Sequence, residues 1–169
     1  NAAQVLGNLA RNADLIGELM QEWLVGPLVQ TFNVSKEVRV RCAVVKAMAN
    51  LAKHVSSIPQ IMREGVVPLL IEICGSDVDL NLLAVACGAL VNLSSHRSMR
   101  AQLMFEGIFT PLVQICETTR RSDVLIGAIT VIQNMSLDEE SRPALVRDRV
   151  IDALVSLVSE VCDNPALQA

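Results

Sequence analysis

One spacing constrains this chain more than any other feature. Asn8, Asn50, Asn92 and Asn134 follow one another at a constant step of 42 residues, and their neighbours keep the same step. Two places before each Asn stand Leu6, Met48, Leu90 and Ile132, and one place after stand Leu9, Leu51, Leu93 and Met135. Further on come Leu19, Ile61, Leu103 and Leu145, then Met20, Met62, Met104 and Val146, then an acid at Glu22, Glu64, Glu106 and Asp148. A repeat that runs the length of the chain predicts a solenoid, in which each unit has apolar faces that only its neighbours can cover.

One period divides into three helices. His96 to Gly107 reads as a short helix with Met99, Leu103 and Met104 on one side, ended by a glycine suited to a left-handed turn. A second begins at "IFTPLVQICE", with Pro111 early enough that its missing N–H is harmless. The third, "SDVLIGAITVIQNMSL", has Ser122 or Asp123 as its expected N-cap and apolar residues on more than one face. Such a helix must be covered by the units on both sides of it.

This unit resembles the armadillo repeat. The residues that carry the likeness are the Asn8-Leu9-Ala10, Asn50-Leu51-Ala52 and Asn92-Leu93-Ser94 triplets, the Glu64-Gly65 and Glu106-Gly107 pairs, and the Pro27-Leu28-Val29 and Pro111-Leu112-Val113 starts. Pro68 is displaced by one residue, and Trp23 and Arg149 stand where the turn glycine is expected. A two-helix HEAT repeat is the nearest rival, and the short first helix with the Asn triplet favours armadillo. The resemblance implies an all-α, right-handed superhelical solenoid of about four repeat lengths. Residues 1–11 would end the third helix of one repeat, 12–53, 54–95 and 96–137 would be repeats, and 138–169 a partial one. Neither end reads as a polar cap, so a slice of a longer array is expected.

Composition narrows the class. Hydrophobic residues make up 51% of the chain, but polar residues interrupt every apolar run before the roughly 18 residues a spanning helix needs, so no membrane span is expected. The start shows no basic, apolar leader pattern. A net charge of −4 without basic runs argues against a nucleic-acid partner. Cys42, Cys74, Cys87, Cys116 and Cys162 lie in apolar segments without CxxC pairing, which reads as reduced, buried thiols and a cytoplasmic protein, with cytoskeletal, ciliary or nuclear placement open. The aligned Cys74 and Cys116, equivalent to Phe32 and Val158, mark a core slot on second helices. No Ser-His-Asp set, phosphate loop or close carboxylate pair occurs, so neither enzyme activity nor a cofactor or metal is expected. His54 and His96 open the loops before first helices and read as polar or capping residues.

The resemblance also implies where a partner would lie. Third helices line the concave face of armadillo proteins, and the repeated Asn reads the backbone of an extended peptide; Asn8, Asn50, Asn92 and Asn134 would be that ladder. An amide offers both a donor and an acceptor to a peptide unit. Setting repeat spacing through neighbouring backbone is the other reading. The Trp that nuclear-import adaptors place four residues earlier is replaced by Gln4, Lys46, Gly88 and Thr130, which argues against basic localisation peptides. Arg39, Lys46, Asn50 and Lys53 recur on nearly one helical face, with Arg11 equivalent to Lys53, and form a basic strip. The next ridges carry Asn81, Gly88, Asn92 and Ser95, then Asp123, Thr130, Asn134 and Leu137, so positive character fades along the groove. The expected function is a scaffold for an extended, acidic protein segment. An architectural component of a ciliary or cytoskeletal assembly, and a regulatory or chaperone region of a larger protein, are the alternatives.

Overall fold

The computed structural model describes residues 24–76 and 79–163, together with Val5, Asn8, Leu9 and Asn12; of 161–163 only the backbone is described. Arg11 and the first helix expected in 12–53 lie outside the described residues. Every regular element among those described is helical. Helices α1 (Val25–Val34) and α2 (Val38–Leu51) are followed by a 3₁₀ turn, Val55–Ser57, and by α3 (Ile58–Arg63), α4 (Val66–Gly75) and α5 (Leu80–Ser95). Then come α6 (Arg97–Phe105), α7 (Phe109–Thr118) and α8 (Ser122–Ser136), a 3₁₀ turn at Glu139–Ser141, α9 (Arg142–Arg147) and α10 (Val150–Asp163). The all-α solenoid is thus a succession of short, medium and long helices.

Local sequence explains how the repeats differ. Pro59 and Pro143 occupy equivalent places and both fall in the first turn of a six-residue first helix preceded by a 3₁₀ turn. A proline donates no N–H and its ring crowds the carbonyl four residues back, so the α-helix starts there. The middle repeat has Ala101 instead, and its first helix extends from Arg97 for nine residues. The turn after each first helix is left-handed: φ is 70° at Gly65, 76° at Gly107 and 59° at Arg149. Arg149 therefore pays a steric penalty that glycine escapes. Arg149→Gly is expected to stabilise the chain by about 1 kcal/mol, the smaller glycine entropy cost being set against the relieved strain; chemical denaturation checks it, and an unchanged midpoint would mean the turn is unstrained.

The long helices α2, α5 and α8 stack side by side and hold the core. On α5 the buried residues include Leu82, Leu83, Cys87, Leu90 and Leu93, because α2 covers one flank and α8 the other. That is the two-sided burial its sequence requires. Phe32, Cys74 and Cys116 fill the same buried slot on successive second helices. Val158, their equivalent, is 62% exposed, since no described helix lies over that flank of α10.

The expected cap of α8 is corrected. Arg121 is the N-cap residue, with extended backbone (φ −75°, ψ 115°), and Ser122 is already helical. Thr119 Oγ1 accepts the Arg121 N–H, fixing the chain one residue earlier. Asp123 instead accepts the Val124 N–H and pairs with the Arg121 guanidinium at 2.8 and 2.9 Å. That hydrogen bond from Arg121 holds the Asp123 carboxyl below its ordinary pKa.

Candidate functional site in the third-helix groove

The last carbonyls of a helix lack intrahelical donors and must be satisfied by something else. Here the following repeat supplies much of what they need. Asn92 Nδ2 donates to the Ala49 carbonyl at 2.8 Å, and the ring Nε2 of His96 lies 2.8 Å from the carbonyl oxygen of Ala52. A carbonyl can only accept, so that nitrogen carries the proton. One repeat on, Asn134 Nδ2 donates to Ser94 Oγ at 3.0 Å and, more weakly, to the Val91 carbonyl at 3.4 Å. Across the turn that joins one repeat to the next, Ser57 Oγ shares its proton between the carbonyls of Leu51 and His54, and Arg100 Nε donates to the Ser94 carbonyl at 3.1 Å. The spacing role of Asn92 and Asn134 is therefore visible, and it uses their NH₂ groups.

Between α2 and α5 lies a groove of about 990 Å³. Arg39, Cys42, Lys46 and Asn50 line it from α2, Lys53 from the turn that follows, and Asn81, Val85, Gly88 and Asn92 from α5, with Asn8 at one side. Six of the eight candidate residues thus share one concavity; Asn134 sits on α8, one ridge further on, and Arg11 lies outside the described residues. Among the described residues the lining contains three cations and no carboxylate, although the chain as a whole is acidic. Arg39, Lys46 and Lys53 are exposed, and among the described residues none of them is paired with an acid. Lys53 Nζ donates to Asn50 Oδ1 at 3.0 Å, which ties one rung of the ladder to one cation of the strip.

The Asp79 carboxylate, close enough to act on Cys42, is engaged elsewhere. Asp79 caps α5, accepting the N–H groups of Asn81 (2.8 Å) and Leu82 (3.3 Å). Among the described residues Cys42 is the one thiol lining the groove. Burial, reinforced by Asp79 and opposed by Lys46 and Arg41, raises its pKa, so it stands as a neutral thiol and not as a nucleophile. Cys74, whose thiol hydrogen-bonds Cys87, is likewise raised and lies in the core. Cys42, Cys74, Cys87 and Cys116 are all free. No helix of the described residues is long and apolar enough to cross a membrane.

Sequence reasoning missed the inter-repeat partner of His96. Its loop position was plain, but the carbonyl it reaches, at Ala52, is 44 residues away. The recurrence of His54 and His96 at the repeat step was the available signal.

Residues 55–95 match the Armadillo/beta-catenin-like repeat model. Among solved structures, a designed armadillo repeat protein in complex with the peptide (KR)4 matches at a TM-score of 0.85 and 22% identity, over 94% of this chain and 66% of that one. The crystal structure of an engineered protein matches at a TM-score of 0.85 and 23% identity, over 99% and 69% respectively. A computationally designed armadillo repeat protein for modular peptide recognition matches at 0.81 and 21%, over 92% and 66%. No curated protein sequence matches the chain. It spans 66% of the length of the two designed proteins, and at these identities the likeness is one of fold.

Proposed function

We propose, from the premise that this chain is an armadillo-repeat protein, that it is a non-enzymatic interaction scaffold holding an extended, acidic protein segment along the third-helix groove. The observation that carries this reading is the groove lining itself: three cations, Arg39, Lys46 and Lys53, without a carboxylate among the described lining residues. An extended segment suits a groove whose floor repeats at a fixed step, because its backbone repeats as well. The amides meet that backbone. Asn92 spends its NH₂ on Ala49, and its carbonyl oxygen serves a peptide N–H; side chains then meet the cations between ridges.

The designed relative whose structure contains (KR)4 holds a basic peptide. In this chain Lys46 and Arg39 would repel such a guest. Free thiols at four positions support a reducing compartment, and the cytoplasm is where we place the encounter.

Fluorescence anisotropy with a labelled Asp/Glu-rich peptide and with (KR)4 tests the reading. The acidic peptide should bind and the basic one should not. Affinity should fall steeply with added salt, since the screening length contracts from about 10 Å at 0.1 M to about 3 Å at 1 M. Equal binding of both peptides, or an acidic complex indifferent to salt, would remove charge as the basis of recognition.

A further inference from the structure

The groove changes its chemistry from one ridge to the next. On α2 and the turn after it the exposed positions include Arg39, Lys46 and Lys53; one step later, on α5, the equivalents are Asn81, Gly88 and Ser95. At Gly88 an added Cβ would meet nothing within 4 Å, so the floor there is open as well as uncharged. On α8 and at its C-terminal end the equivalents are Asp123, Thr130 and Leu137, and Asp123 is already paired with Arg121. Cations stand at one end of the series and open space in its middle.

We infer that the guest is asymmetric: its acidic residues are grouped at one end, over α2, and the residues that follow are uncharged and bulky, over Gly88. The inference rests on the reading of the groove as a site for an acidic segment. A guest carboxylate over α2 meets unpaired cations. Carried one ridge further it meets none, and beyond that it meets the Asp123 carboxylate. Packed helices lie roughly 8–10 Å apart and an extended chain advances about 3.3 Å per residue, so two to three guest residues pass each ridge. The acidic block is therefore about three residues long. A large uncharged side chain then fills the open floor at Gly88 and keeps water from the flanking contacts.

Three labelled peptides of one composition decide the matter: acids grouped at the N-terminal end, grouped at the C-terminal end, and spread evenly. All carry the same Leu and Phe residues in the remainder. At least one grouped peptide should bind about threefold or more tighter than the spread one, the size expected when one exposed charge pair is gained or lost. Gly88→Lys should erase that preference by placing a cation on the second ridge, while Gly88→Ala, which adds a methyl group into open space, should keep it. Equal affinity of grouped and spread peptides for the unaltered chain would overturn the asymmetry and leave the acidic-segment reading standing. A preference untouched by Gly88→Lys would also overturn it. If no acidic peptide binds in any arrangement, both readings fall together.

Discussion

Replacing Arg39 and Lys46 together by glutamate is expected to weaken binding of an acidic peptide by roughly 30- to 150-fold, about 2–3 kcal/mol, with the helical circular dichroism signal unchanged. The magnitude follows from counting. Each exposed ion pair contributes up to about 1 kcal/mol, and reversing a charge replaces that attraction by a repulsion of similar size. Both side chains are exposed and neither has an acidic partner among the described residues, so the fold loses no ion pair of its own. The control for net charge is Arg142→Glu with Arg147→Glu, which also gives up the exposed Arg142–Glu139 and Arg147–Asp148 pairs, so its stability is measured alongside its binding. These residues lie on and at the end of α9, away from the groove lining, and their reversal changes the net charge by the same amount. Recognition by the groove requires the first double substitution to be damaging and the second nearly silent. Equal losses in both would mean that the acidic peptide responds only to the overall charge of the molecule.

The sequence and the structure agree where one physical demand recurs at one position. The left-handed turn is such a case: Gly65 and Gly107 announce it, and Arg149 adopts it at φ 59° because the register of the neighbouring helices requires the turn there whatever residue is present. The Asn positions are another. Their spacing shows in the sequence as a repeat, and in the structure as bonds from Asn92 and Asn134 to the preceding third helix. What recurrence could not reveal are contacts made once. Thr119 fixes the Arg121 backbone at the start of α8 as Ser35 fixes that of Glu37 at the start of α2, but the Arg121–Asp123 ion pair beside it is made in no other repeat of the described residues. The six candidate residues that converge on one groove were each legible, yet that Asp79 turns to the α5 N–H groups and does not line the groove is a matter of geometry.

Gly127 is the strongest of these singular features, and Gly127→Val is expected to cost about 3 kcal/mol, lowering the thermal midpoint by on the order of 10 °C. In the aligned places of the earlier repeats stand Ala43 and Val85, so nothing in the repeat marks this position for glycine. A Cβ built at Gly127 would come within 2.7 Å of the Cys87 Cβ and 3.8 Å of its Cα. Neither is the far end of a flexible side chain, and Cys87 is wholly buried on α5. Relief would require α5 and α8 to separate along the contact that covers one flank of α5. Such overpacking typically costs 1–3 kcal/mol, and valine adds two further carbons to the clash. Valine's better helix propensity offsets this by only roughly a few tenths of a kcal/mol. Gly88 provides the internal comparison, since it lies within α5 and a Cβ there meets nothing within 4 Å. Gly88→Ala should therefore stabilise by about 0.5–1 kcal/mol, opposite in sign to the change at Gly127. If both substitutions shifted the denaturation midpoint upward, the close approach of the two third helices would not be limiting. The groove floor would then owe its width to the Asn and His bonds between repeats, with no steric stop at Gly127.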